Sequence, residues 1–168
     1  MPRVLAAVDG SAADRPVLVA AREVAGLVGA SLEALHIEEG KGAGARAAAE
    51  AAGADLHVVQ GPVATSLVEA SRQDDVLALV MGARATPFGP RPAGHIALDV
   101  ATGAGCPLVV VPPDCRLPFR LRRVLVPMEA VAQTAAAVQQ TLRRAFTAGL
   151  EVMVLHVIDA DSLPMFSD

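Results

Sequence analysis

The stretch MGARATPFGPRPAGHIALDV, Met81 to Val100, carries the residue types with which a backbone can hold an anion. Gly82, Gly89, Gly94, Arg84 and Arg91 follow the apolar run VLALV, and the chain then turns helical. Glycines let N–H groups approach a phosphate closely, and a helix N-terminus adds a favourable dipole. Pro87, Pro90 and Pro92 work the other way, since each removes an N–H. The same composition therefore also fits a plain strand-to-helix connection.

A second candidate is Asp9-Gly10-Ser11, at the end of the first apolar run. Asp9 can face a ligand, and either Asp9 or Ser11 can cap the helix that follows. His36 and His156 hold corresponding strand positions, which suggests a satisfied core histidine in each. His57 reads as packed or partly exposed. No histidine has metal-ligand spacing with a cysteine or carboxylate. Ser11 has no base nearby in sequence, no GxSxG elbow occurs, and no catalytic residue is assigned. The GxGxxG fingerprint is absent after the first strand. Glycines of GxG spacing occur in GKGAG, residues 40–44, but they follow the second strand and read as a flexible connection.

These residues must be positioned by alternating strands and helices. VLAAV (Val4–Val8) is a short strand, and Val17, Leu18, Ala21, Val24, Ala25 and Val28 then fall on one helical face that Gly29 ends. LEALHI (Leu32–Ile37), an alanine-rich helix, LHVVQ (Leu56–Gln60) and a helix opened by Pro62 follow. VLALVM (Val76–Met81), a helix over Gly94–Thr102 and the strand PLVVV (Pro107–Val111) complete the unit. Strands separated by helices call for a parallel sheet covered on both faces, and continuous apolar strands agree with that.

Composition sets the outer limits. The 168 residues are 53% hydrophobic and 19% charged, inside the globular class. With no Trp or Tyr and four Phe, the core must be Val, Leu, Ile and Ala. A net charge of −4 argues against a nucleic-acid binder. No continuous apolar span of membrane length and no signal peptide is read, and the two cysteines make no disulfide framework. A reducing, cytoplasmic setting is expected, with Cys106 in packing and Cys115 more open.

RVLAAVDGSA at Arg3 has a partner in RVLVPMEAVA at Arg123. With a fixed shift of 120, Arg3, Val4, Leu5, Ala25, Gly29, Leu35 and His36 meet Arg123, Val124, Leu125, Ala145, Gly149, Leu155 and His156. The expected organisation is a complete unit over 1–113, a Pro/Arg linker over 114–122, and a strand-helix-strand partial repeat over 123–168. Such a partial repeat is either cut short or packs on the first unit or on another chain.

With its elements placed, the chain resembles the universal stress protein family. The resemblance rests on VLAAVDGSAADRPVLVAAREVAGLVGASLEALHI, VVQGPVATSLVEASRQDDVLALVMGARA and GHIALDVATGAGCPLVVV. It implies a flavodoxin-like, Rossmann-like α/β fold: a five-stranded parallel sheet in the order 3-2-1-4-5, helices on both faces. It also implies self-association or tandem-domain pairing through Pro107–Val111. Strands one and four then end side by side at the switch point, where such sheets bind ligands.

In nucleotide-binding members of the family, an aspartate after strand one and the end of strand two hold the adenosine. A Gly-x-x-Gly loop, nine residues and then Gly-Ser or Gly-Thr wrap the phosphates. Carried across, the resemblance implies cofactor contacts at Ala7, Val8, Asp9, Ile37, Met81, Gly82, Ala85, Gly94, His95 and Ile96, for ATP with Mg. This chain departs from the pattern: Ala85 replaces the second glycine, the spacer is one residue short, and His95 stands in the hydroxyl position. The implied function is a cytoplasmic stress-response or regulatory protein working as a paired or dimeric module. An ATP-binding sensor, whose occupancy alters dimer or partner state, is the alternative, and a slow ATPase a third reading.

Overall fold

The computed structural model describes residues 1–38, 43–83, 93–112, 114–116, 120–128, 139, 142, 143 and 145–156. The chain divides into two compact units, Met1–Arg120 and Leu121–Asp168.

In the first unit the elements run β1 (Arg3–Val8), α1 (Asp14–Val28), β2 (Ser31–Glu38), α2 (Ala43–Ala51), β3 (Asp55–Gln60), α3 (Val63–Ser71), β4 (Val76–Gly82), α4 (His95–Gly103) and β5 (Leu108–Val111). The strands form one parallel sheet in the order β3-β2-β1-β4-β5. β1 lies centrally because its apolar side chains find cover on both sides. Val4, Ala6 and Val8 pack with Val17, Leu18, Ala21 and Ala25 of α1 and Ala45 and Ala49 of α2. Leu5 points the other way, into Leu35, Ile37, Leu79 and Met81, capped by Leu67 of α3 and Ala97 and Val100 of α4. The alternation along one strand thus builds two cores.

Small residues decide how closely the layers meet. Gly44, read from sequence as part of a flexible connection, lies in α2 and touches the β1–α1 loop. A Cβ there would sit 2.7 Å from the Gly10 carbonyl oxygen and 3.0 Å from its Cα. Gly10 itself has φ +85°, a conformation that favours glycine.

The ends of the strands differ in chemistry. At the N-terminal edge Arg3 reaches Glu33 at 2.6 Å and Asp75 at 3.2 Å, and also bonds Gln73, so one guanidinium ties β1 to β2 and to the turn before β4. The hydrogen bond to Glu33 raises its pKa further above an already basic value. β3, an edge strand, is mostly exposed, and the His57 ring stands 3.7 Å from Glu33, open to solvent.

In the second unit β6 (Arg123–Met128) and β7 (Glu151–His156) pair in parallel from Arg123↔Glu151 to Met128↔His156. Arg123 meets Glu151 at 2.8 Å. Gly149, φ +72°, closes the helical residues before β7, with the Leu150 N–H donating to the Ala145 carbonyl at 2.9 Å. No helix among the described residues is long and apolar enough to cross a membrane.

Candidate functional site

At the C-terminal edge of the first unit's sheet the order reverses between β1 and β4, and a cavity of about 580 Å³ opens there. Its walls come from the end of β1 (Ala7, Val8, Asp9), the end of β2 (Leu35, His36, Ile37) and the end of β4 (Met81, Gly82, Ala83). Helix starts close it: Ala13, Asp14 and Val17 of α1, Val63 and Leu67 of α3, and Gly94 through Ala97 of α4. Nine of the ten residues carried across by resemblance line this one cavity, and Ala85 lies outside the described residues. The two ends of the Gly82–Gly94 loop are drawn together by the Gly94 N–H, which donates to the Ala83 carbonyl at 2.7 Å. The interior of that loop, 84–92, also lies outside the described residues.

Sequence reading expects Asp9 or Ser11 to cap α1. Neither does. The cap position is held by Ala13, which supplies no side-chain cap. The Asp9 carboxylate instead accepts from the Ser11 N–H at 2.9 Å, and the Ser11 hydroxyl accepts from the Ala13 N–H at 3.2 Å. Asp14, only 3% exposed, reaches backwards from the first helical position. Its oxygens accept from the Asp9 N–H at 3.0 Å and the Gly10 N–H at 2.9 Å. The physical reason is the left-handed Gly10, which folds the loop over the helix start so that its amides face Asp14. Pro62 likewise precedes its helix, in extended conformation, rather than opening it.

The two carboxyls have split properties. Burial pushes the Asp14 carboxyl up, against the amide bonds it accepts and with the Asp9 charge beside it. Partial burial would push Asp9 up too, but hydrogen bonds from Ser11 and Asp14 outweigh it and hold Asp9 below the usual carboxylate range. Asp9 is therefore the ionised, solvent-facing partner and Asp14 the one that retains a proton longer.

His36, read from sequence as a satisfied core side chain, is satisfied on one side only. Its ring is 4% exposed and Nδ1 lies 2.9 Å from the Val8 carbonyl oxygen. Nε2 is buried and has no hydrogen-bond partner among the described residues. Asp14 and His36 thus grip the same peptide group, Asp14 by the Asp9 N–H and His36 by the Val8 carbonyl. Sequence reasoning assigned neither to the site. Asp14 five residues after Asp9 is the one signal that points to it, since an acid there can reach the loop amides.

The amides of Asp9, Gly10, Ser11 and Ala13 are all taken by side-chain oxygens, so this loop offers no free anion cradle. The first N–H groups of α4, at His95 to Ala97, are the ones a helix leaves without internal partners, and these residues line the cavity. No group of three or more potential metal ligands occurs among the described residues. Burial pushes the Cys106 thiol up, away from nucleophilic use.

Comparison with known proteins agrees with this fold. Residues 37–112 match the model of the universal stress protein family. Over that stretch the chain is similar to universal stress proteins. No curated protein matches the sequence. Among solved structures, the chain is similar to the universal stress protein from Archaeoglobus fulgidus, with 27% identity over 66% of this chain and 97% of that one, TM-score 0.51. It is similar in fold to a universal stress protein solved in complex with cAMP, with 21% identity over 66% of this chain and 95% of that one, TM-score 0.53.

Proposed function

We propose that this chain is a universal stress protein, a stress-response sensor that binds an adenine nucleotide in its first unit and changes its pairing state when occupied. The observation that carries the reading is the cavity at the β1/β4 switch point, with its apolar walls and few polar groups. Leu35, Ile37, Leu67 and Met81 offer a dry slot for a planar base. The ionised Asp9 accepts from ribose hydroxyls, and the start of α4 offers N–H donors to a phosphate. The relative solved with cAMP supports an adenine nucleotide as the class of ligand in this fold. ATP with Mg is the first ligand to test, and a slow ATPase has no catalytic group in its favour among the described residues.

Calorimetric titration of the full chain with Mg-ATP and with AMP tests the reading, with Asp9→Ala as the comparison. Heat at sub-millimolar ligand, weakened about tenfold by Asp9→Ala, is the expected result for loss of one charge-assisted bond. Absence of heat at millimolar ligand removes the sensor.

A second reading, a cytoplasmic pairing module without ligand, draws on β5. That strand closes the sheet order at one edge, and its Val110 is 40% exposed, so Pro107–Val111 offers an edge for pairing. Sedimentation in the same titration separates the two: assembly that does not respond to nucleotide favours pairing alone.

A further inference from the structure

We propose that Nε2 of His36 is the acceptor in this cavity for a hydrogen-bond donor on the bound ligand, and so sets which adenine nucleotides fit. This rests on the nucleotide reading above and deepens it. A carbonyl oxygen can only accept, so the 2.9 Å contact with Val8 places the hydrogen of the uncharged ring on Nδ1. Nε2 is then left with a bare lone pair. It is buried, it has no partner among the described residues, and its residue lines the cavity. Buried acceptors in folded proteins are nearly always satisfied, and one left open beside a cavity calls for a donor that arrives through it.

The neighbouring groups sharpen the choice of ligand. Asp14 spends both oxygens on loop amides, and Val8, Val17 and Leu35 offer no side-chain donor. On the buried part of the described wall, His36 can discriminate a ligand with an N–H or O–H from an isostere without one. Discrimination of that kind is steep, because the analogue lacking the donor leaves a desolvated acceptor unpaired. An adenine nucleotide has two such donors, the exocyclic amine and the ribose hydroxyls.

The test uses the full chain and two substitutions. His36→Asn keeps an amide N–H near the place of Nδ1, so it can still hold the Val8 carbonyl, and it removes the far acceptor. His36→Gln carries an amide oxygen near the place of Nε2. Calorimetry with AMP should show His36→Asn weakened about tenfold and His36→Gln partly restored. Purine riboside monophosphate, 2′-deoxy-AMP and 3′-deoxy-AMP then identify the donor: the analogue that lacks it binds wild type and His36→Asn equally. In parallel, the ¹⁵N resonance of His36 Nε2 should move upfield on saturation with AMP, as a bare nitrogen does when it accepts a hydrogen bond. Equal AMP affinity in wild type and His36→Asn overturns the inference and leaves the nucleotide reading intact. So does a uniform loss against every analogue, or an unmoved Nε2 resonance at saturation. Failure of wild type to bind any of the four ligands removes both.

Discussion

β1–β2 and β6–β7 are the same local structure in two different settings. Under the 120-residue shift the register is identical: Arg3↔Ser31 becomes Arg123↔Glu151, and Val8↔His36 becomes Met128↔His156. The turn before the second strand repeats too, with Gly29 at φ +65° and Gly149 at +72°, and with the Ala30 and Leu150 N–H groups donating to Ala25 and Ala145. Burial does not repeat. Leu5 is 2% exposed and its counterpart Leu125 56%, while Leu35 is 4% exposed and Leu155 47%. Val126 remains buried like Ala6, but its register partner Val154 is 60% exposed where Ala34 is fully buried. Leu5 and Leu35 lie on the face that α3 and α4 cover in the first unit, and the described residues of the second unit include no counterpart of those helices. Register and turn are written locally; a core is not.

The sharpest way to break the comparison is to cut the same leucine in each setting. Leu5→Ala should cost about 2–5 kcal/mol, the range for a fully buried leucine that leaves a cavity between packed helices. Leu125→Ala should stay within roughly 0.5 kcal/mol, as expected for an exposed position. Urea unfolding followed by circular dichroism measures both. A large loss at Leu125 would mean that this face is covered in solution.

That asymmetry also explains how far the sequence could be read. The two-faced parallel sheet was legible because VLAAV, VLALV and PLVVV are unbroken apolar runs between helical spacings, whereas its strand order came only from the family resemblance. The shared register and turn of β1–β2 and β6–β7 were legible because Arg, Val, Leu, Gly and His recur at a fixed spacing. The site was legible in outline, through Asp9, Gly82 and Gly94, since strand ends at a switch point converge in any fold of this order. Its buried polar groups were not. Asp14 at a helix start reads as an ordinary dipole partner. Its backward reach depends on the conformation of Gly10 and on Gly44 pressing against it, which are tertiary facts. His36 reads as core because it is core; only coordinates reveal that one ring nitrogen is left over.

A milder substitution asks whether the shared turn is local. Among the described residues, neither Gly29 nor Gly149 has any atom within 4 Å of the place a Cβ would occupy, and both have positive φ. Alanine at either should therefore cost about 1–2 kcal/mol through backbone strain alone, without a packing term. Equal costs by urea unfolding would confirm that the two turns are energetically one device. A markedly smaller cost at Gly149 would show that the second unit melts separately and that its turn does not contribute to the main transition.

The smallest effect concerns the position where the two units diverge in charge. The shift places Thr134 opposite Asp14, so the first unit has a titrating group there and the second does not. Burial raises the Asp14 carboxyl in the folded state. Protonation is therefore favoured by folding, and this contribution to stability is full below the unfolded aspartate range. It is lost as pH rises through the raised folded value. Asp9 has the opposite sign, contributing above the unfolded range and losing its share as pH falls. In Asp14→Asn the first trend should vanish. The unfolding free energy of wild type minus that of the variant should thus fall as pH rises from about 4, the ordinary aspartate value, and then level off. A difference that instead grows with pH over that window would mean that the two loop amides outweigh burial and that Asp14 is held ionised.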